Sequence, residues 1–388
     1  MMVKLKDICT INPKTPALVD ALEVSFVPMP KVGERGEFDP SEIKEYREVK
    51  KGFTNFQNGD VLFAKITPCM ENGKGAVARA LKNGYGFGST EFHVLRPDCN
   101  KVTSEWLYYL TSWSEFRKEA ESNMTGSAGQ KRVPKTFLEN YGVKLPELQK
   151  QKEMIEVLES VDKIIARREE QLAKLDQLVK SRFIELFGDC LTNPKGWKTK
   201  CLEDVSDVGS SKRVFVEELK EKGIPFYRGT EVGALAEGKE ITPELFITEE
   251  HYVELCEATG APRIGDLLMP SICPDGRIWV VNTDKPFYFK DGRVLWVHNI
   301  DAKFNPIFLL YTLKDRIMTD YSSIASGTTF AELKIFALKK CRIFDVPLTM
   351  QNEFAAFVEQ TDKSKFDLKQ SLEKLETLKK SLMQQYFG

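Results

Sequence analysis

The chain has 388 residues, 29% of them charged and 42% hydrophobic, with a formal net charge of −1. That length exceeds one typical hydrophobic core, so two domains with connectors are expected, and the near-zero charge excludes gripping a phosphate backbone by bulk electrostatics alone. No apolar run approaches the ~20 residues that cross a bilayer, and the start Met1–Asp7 lacks a signal peptide's apolar core, so a cytoplasmic protein with no membrane partner is expected.

Residues 1–145 read as a mixed α/β globule. Strand-like runs occur at Val24–Pro28, Asp60–Ala64, Ala76–Ala80 and Glu91–Leu95, separated by glycine turns such as Asn72-Gly73-Lys74-Gly75. Ser104 is placed to cap an amphipathic helix from Glu105 to about Ser122, which buries Trp106, Leu107, Leu110, Trp113 and Phe116. A polar loop, Asn123 to Lys135, and a last strand-like run, Tyr141–Leu145, complete the globule.

Residues 146–188 read as a single long helix. It follows a proline, contains no internal Pro or Gly and closes on Phe187-Gly188, a glycine suited to the left-handed conformation that ends helices. Leu158, Val161, Ile165, Leu172, Leu175, Val179 and Leu186 follow a heptad spacing. A linker and a second globule fill 189–345, and residues 346–388 form a second long helix with its own stripe, Val358, Leu368, Leu372, Leu375, Leu382 and Tyr386. Runs of this length exceed the 8–20 residues of an ordinary globular helix and would measure roughly 60 Å at 1.5 Å per residue. Arg168 and Arg182 in the first stripe, and Lys365 and Lys379 in the second, interrupt the seam. Interrupted seams suit two helices specified to each other within one chain better than indiscriminate self-association.

A shift of two hundred positions lays the first helix on the second. Gln151, Glu153, Asp162, Lys163, Leu172, Lys174, Leu175, Leu178, Lys180, Ser181, Phe187 and Gly188 then meet identical residue types. The globules repeat more loosely: Ile264-Gly-Asp-Leu-Leu-Met echoes Asn58-Gly-Asp-Val-Leu-Phe, and the helix near Pro306–Tyr321 echoes Glu105–Ser122. Loops and exposed residues do not repeat. The fold class is therefore α+β, with two mixed α/β domains in pseudo-two-fold repeat separated by two long antiparallel coiled-coil helices. Two copies of one scaffold with different surfaces suit a protein that reads two different things a fixed distance apart.

The chemistry-bearing residues point away from catalysis. Eight cysteines form no CxxC pair and there are only three histidines, His93, His251 and His298, so zinc, redox and His-based sites are poorly supplied. No phosphate-binding Gly-x-x-x-x-Gly-Lys loop is present, nor an Asn-Pro-Pro-aromatic tetrapeptide. Pro274-Asp275 and Glu332-Leu333-Lys334 supply the letters of a metal-dependent nuclease. A predicted helix separates them and the first half has no equivalent, so they do not form one metal site. No cofactor, metal or catalytic residue is expected.

The ordered set of features resembles the specificity subunit of a type I restriction–modification system over essentially the full length. It rests on the globule–helix–globule–helix order, on Gly59-Asp60-Val61-Leu62-Phe63-Ala64-Lys65, on Ser89-Thr90-Glu91-Phe92, on Gly126 to Pro134 and on Leu145-Pro146-Glu147-Leu148-Gln149-Lys150-Gln151. The second half departs from the pattern: Thr328-Thr329-Phe330 stands where the first has Gln130-Lys131-Arg132. The resemblance implies a non-catalytic reader of double-stranded DNA, each globule being a target-recognition domain for one half of a split, asymmetric site. It implies that the paired helices fix the gap and dock two modification subunits that methylate adenine, with restriction subunits joining through that complex. Half-sites read from one face of B-DNA lie about 34–36 Å apart, within reach of such helices. A coiled-coil scaffold with two protein-binding domains is the competing reading.

Base edges are read by side chains on loops, while phosphate contacts position the protein. In the first globule the candidates for DNA contact are Thr125, Ser127, Gln130, Lys131 and Arg132, in a loop exposing backbone N–H groups beside two cations, together with Lys65, Thr67 and Lys74. In the second they are Lys212 and Arg213 in a cation-rich loop, Tyr227 and Arg228, Arg277 in a turn from which a guanidinium could reach a guanine edge, and the hydroxyls of Ser322, Ser323, Thr328 and Thr329.

Overall fold

The computed structural model describes residues 2–127, 129–327 and 331–388. The chain divides into two units, Met1–Glu169 with Lys369–Gly388, and Glu170–Leu368. The division falls inside both long helices, Leu148–Phe187 and Leu348–Phe387, so each unit owns one globule and a half of each helix.

Unit 1 is built on two four-stranded sheets. One runs Cys9–Ile11, Phe92–Pro97, Val61–Ala64, Gly75–Val77, all antiparallel. The other runs Ile43–Glu45, Glu23–Val27, Tyr85–Gly88, Thr54–Gln57, with Glu23–Val27 parallel to Tyr85–Gly88. Unit 2 repeats the first sheet with Asp207–Gly209, Val294–His298, Leu267–Pro270 and Trp279–Val280. Its second sheet keeps the parallel pair, Ile224–Tyr227 with Tyr288–Phe289, and adds Phe246–Ile247. A two-stranded pair closes each globule: Met2–Lys4 with Gly142–Lys144, and Thr199–Cys201 with Arg342–Phe344.

The repeated Gly-Asp motif shows why the two scaffolds agree. Gly59 and Gly265 adopt φ of +89° and +93°, a conformation open to glycine at little cost. Asp60 then accepts the Gln57 N–H, and Asp266 the Arg263 N–H, each at 2.8 Å. The spare carboxylate capacity differs: Asp60 takes both prongs of Arg96, whereas Asp266 accepts the Trp296 indole N–H at 2.9 Å. One turn has two different supports.

Local detail departs from the sequence expectation in five respects. The expected helix Glu105–Ser122 is two helices, Ser104–Ser112 and Ser114–Ser122, broken where Trp113 takes extended backbone angles. The cap of the first is Thr103, whose hydroxyl accepts the Trp106 N–H, while Ser104 donates to Gly59 O at 2.6 Å. The strand expected over Ala76–Ala80 ends at Val77, short of Ala80 with its φ of +53°. A helix at Lys135–Asn140 follows the polar loop, and the helix Pro306–Ile324 carries Ser322 and Ser323 within it, past a kink at Asp320, rather than in a loop.

Each long helix is rooted by a glutamine with no solvent exposure. Gln151 accepts the Thr103 N–H at 3.0 Å and donates to Lys101 O and Pro146 O. Gln351 accepts the Asn305 N–H at 2.8 Å and donates to Lys303 O and Val346 O. The far end of each helix is anchored by an aromatic ring in the other copy of the scaffold. Phe387 packs on Trp106 and Trp113 in unit 1, and Phe187 packs on Phe308 and Phe354 in unit 2.

Three of the interruptions of the seam, Arg182, Lys365 and Lys379, form ion pairs across the helices. In unit 1 Lys379 meets Asp162, and in unit 2 Lys365 meets Asp176 and Arg182 meets Glu353, both at 2.7 Å. As numbering rises from 176 to 182 on one helix it falls from 365 to 353 on the other, so the segments run antiparallel. Leu158, Val161 and Ile165 are buried in unit 1, and Val179, Phe183, Phe354 and Val358 in unit 2; Leu158 joins the core of the first globule and the four residues of unit 2 that of the second. No helix among the described residues is long and apolar enough to cross a membrane.

Two stability predictions follow from these anchors. Gln151→Met leaves the part-buried Thr103 N–H and two part-buried carbonyls without their side-chain partner, which at about 1–3 kcal/mol for each orphaned group lowers unfolding stability by more than about 2 kcal/mol in urea titration. A loss below about 0.5 kcal/mol would show that these groups find other partners. Phe187, with no exposure, and the half-buried Phe387 separate in the same assay: Phe187→Ala costs about 3–5 kcal/mol and Phe387→Ala less.

Candidate nucleic-acid interface

In unit 1 the fold gathers most of the candidates into one patch. The polar loop closes at its neck by an antiparallel bridge between Thr125 and Arg132 (Thr125 N to Arg132 O 3.0 Å, Arg132 N to Thr125 O 2.8 Å). The returning strand lies along Lys65–Thr67: Thr67 N donates to Lys131 O at 3.0 Å and Val133 N to Lys65 O at 2.9 Å. Lys65, Thr67, Thr125, Ser127, Gln130, Lys131 and Arg132 therefore share one surface. Gly126, with φ of +123°, permits the sharp exit from the neck, where a Cβ would lie 2.9 Å from Gln130 O.

The cations on this surface are not equivalent. Lys131 is exposed, and neither its ammonium nor that of Lys65 has a hydrogen bond or ion pair among the described residues. Arg132 is committed: Nε and Nη2 each donate to Glu91 at 2.9 Å, and Nη1 donates to Gln130 O. The Arg132 guanidinium holds the Glu91 carboxyl below the usual carboxylate range. His93 Nε2–H donates to Val133 O at 2.8 Å, and burial lowers its pKa, favouring the neutral ring. Thr67 is also engaged, donating to Glu71 at 3.1 Å.

Lys74 lies apart from the patch. Its ammonium donates to Met29 O at 3.3 Å and Val32 O at 3.1 Å, a bond set that ties the Gly73–Gly75 turn to the neighbouring segment. The same turn is held from below by Arg117, buried against Phe63, which donates to Met70 O and Gly73 O. Burial lowers the Arg117 pKa to about 10.

Unit 2 distributes its candidates. The loop of Lys212 and Arg213 is stitched to the strand end near Phe289–Val294, because Ser210 donates to Val294 O and Ser211 to Phe289 O, each at 2.7 Å. Lys212 is exposed, with no ion pair among the described residues; Arg213 Nε pairs with Asp291 at 3.3 Å. Tyr227 stacks on Phe287 at 5.0 Å and burial raises its pKa, so its ring is part of a core cluster. Arg228 spends its guanidinium on Glu231 and Glu244 at the head of the helix Gly229–Ala236. Arg277 Nε lies 2.8 Å from Asp275, at an angle that makes an ion pair without a hydrogen bond, and its Nη1 crowds Gly233. Ser323 donates to Asp320 O and Oδ2 within its own helix, and Ser322 is exposed beside it. Thr328 and Thr329 lie outside the described residues.

Residues not among the candidates take part in both units. Glu91 anchors Arg132, and in unit 2 Arg293 forms an ion pair with Glu332. Glu91 stands in the Ser89–Phe92 motif, but nothing in the sequence signals that its carboxylate meets a guanidinium 41 residues later. No group of three or more metal-ligating side chains converges among the described residues.

Residues 1–177 and 194–380 match the family model described as the type I restriction modification DNA specificity domain. The chain is 48% identical over 154 residues to the type I restriction enzyme EcoAI specificity subunit of Escherichia coli, covering 39% of this chain and 26% of that protein. It is 46% identical over 147 residues to the EcoEI specificity subunit of the same organism, covering 37% and 24%. The chain thus spans about a quarter of the length of these two relatives. The MjaVIII specificity subunit of Methanocaldococcus jannaschii is 22% identical over 308 residues, covering 73% of this chain and 69% of that protein. Among solved structures, one from a study of complex assembly and conformational transition of the type I R-M system aligns over 100% of this chain and 97% of its own, with TM-score 0.62 at 19% identity. The type I S subunit from M. genitalium aligns over 100% and 96%, with TM-score 0.56 at 13% identity; these two likenesses bear on the fold. Two family matches on two copies of one scaffold, together spanning most of the chain, establish that the chain belongs to the type I restriction–modification DNA specificity family.

Proposed function

We propose that the chain is a non-catalytic, sequence-specific DNA-binding subunit that reads a bipartite, asymmetric site, one half per globule. It would direct modification subunits that methylate adenine, and through them restriction subunits, to that site. The observation that carries this reading is the contrast within the repeat: two globules with the same sheet order and the same glutamine root carry unlike loops, so two different half-sites are read by one architecture. The long helices act as the ruler for the gap. Lys65, Lys131 and Lys212, cations without internal partners, make the phosphate contacts, and the hydroxyls and amides of Thr125, Ser127 and Gln130 read base edges or sugar–phosphate beside them. A near-neutral chain relies on its partner subunits for much of the electrostatic attraction to DNA.

The direct test is selection from a randomised duplex library by the full-length chain. Two short motifs separated by a fixed unread gap are expected; a single uninterrupted motif, or none, overturns the reading. A scaffold for protein partners draws on the net charge of −1 and predicts no enrichment of any duplex.

Inserting about four residues, one helical turn, into both long helices lengthens the gap and leaves each half-motif intact. An unchanged gap in the selected duplexes removes the ruler role. Replacing Lys131 by Ala weakens binding uniformly across sequences and reduces the log–log salt slope by about one, whereas Lys74→Ala leaves the slope alone, because that ammonium is already occupied by carbonyls. Equal slopes for Lys131→Ala and wild type would remove Lys131 from the phosphate contacts.

A further inference from the structure

The necks of the two reading loops can be superposed link by link through their hydrogen bonds. In unit 1, Ala64 pairs with Phe92, Lys65 N donates to Glu91 O at 2.9 Å, and Val133 N donates to Lys65 O at 2.9 Å. In unit 2, Pro270 pairs with Val294, Ser271 N donates to Arg293 O at 2.9 Å, and Leu333 N donates to Ser271 O at 2.7 Å. The loop closes by the bridge Thr125–Arg132 in the first case and Ser326–Glu332 in the second. Glu91 therefore occupies the position of Arg293, and Arg132 that of Glu332. At both pairs of positions the side chains form an ion pair, but the signs are exchanged: strand acid with loop cation in unit 1, strand cation with loop acid in unit 2.

We propose that these two pairs are positioning residues of the reading loops, one latch built with opposite polarity in the two units. The proposal rests on the DNA-reading function above and specifies what holds its loops in register. The backbone links fix the returning strand, yet they leave the loop's neck attached along one edge only. The side-chain pair ties the neck residue to the end of the central sheet strand as well. Because the pair works in either polarity, its job is the tie rather than the charge presented to DNA. Exchanging one partner alone sets two like charges together at hydrogen-bond range, which repels rather than binds. A loop moved from one unit into the other would bring Arg132 against Arg293, or Glu332 against Glu91, so the polarity also keeps the two loops from being interchangeable.

The test uses charge reversal in the full-length chain: Arg132→Glu, the double variant Glu91→Arg with Arg132→Glu, and in unit 2 Glu332→Arg and the double variant Arg293→Glu with Glu332→Arg. Hydrogen exchange of the loop amides reads the latch without DNA. Each single reversal is expected to speed exchange at its own neck by about tenfold or more, and each double reversal to return it to the wild-type rate. Selection from the randomised duplex library reads the consequence: Arg132→Glu blurs one half-motif and keeps the other, Glu332→Arg does the opposite, and the doubles restore both. Retention of one half-motif also reports that the variant is folded. Unchanged exchange in the single variants overturns the latch. A double variant of unit 1 that regains slow exchange but not its half-motif overturns the positioning role and makes Arg132 a direct DNA contact. Wild type that selects no duplex overturns the DNA reading and the positioning role with it, while the exchange rates still decide whether the ion pair ties the loop.

Discussion

A glutamine side chain removed from water must find partners for its carbonyl and its amide, since each orphaned group costs about 1–3 kcal/mol. Gln151 and Gln351 meet that demand in the same way: each collects one N–H at the head of a globule helix, one carbonyl two residues before it, and one carbonyl at the end of the segment entering the long helix. These bonds join globule, strand end and long helix at one point. Displacement of a long helix relative to its own globule breaks three bonds made by a fully buried side chain. The direction in which each long helix leaves its globule is thereby set.

The other end of each helix is secured differently, by burial. Phe187 and Phe387 insert among the aromatic residues of the opposite copy, so the first helix starts on the first globule's core and ends in the second's, and the second helix returns the exchange. Polar anchoring at one end demands an exact partner set; apolar anchoring at the other tolerates wider variation in shape. Between the two ends the ion pairs Asp162–Lys379, Asp176–Lys365 and Arg182–Glu353 contribute little stability as half-exposed pairs, but they penalise other registers and other partners.

Against this repeated frame, the surfaces have diverged by changing what the cations do. Arg132, Arg228, Arg277 and Arg213 are all paired with carboxylates, so a count of basic residues overstates the charge available to a phosphate. A loop that reads base edges must be held to within a fraction of an ångström, and arginine, with its planar fork, is well suited to holding it. Among the candidate residues the cations without a hydrogen bond or ion pair are lysines, Lys65, Lys131 and Lys212, whose flexible ammonium groups suit non-specific phosphate contact.

The amino-acid sequence alone determined the repeat, the two long helices, the α+β class and the family, because these depend on periodicity, glycine and proline placement and motif order, all of which are local along the chain. It also singled out the loop at Thr125–Arg132, since composition marks an exposed polar turn. It left undetermined which cations are free: Lys74 and Lys131 look alike in a string, and only the packing of Met29 and Val32 against the Gly73 turn separates them. The break at Trp113, the helical setting of Ser322 and Ser323, and the pairing of Glu91 with Arg132 and Arg293 with Glu332 were likewise decided by tertiary structure. A reversed pair of charges scores as a mismatch when two sequences are laid side by side, whereas in space it is the same bond, because an ion pair depends on the distance between opposite charges and not on which strand carries which sign.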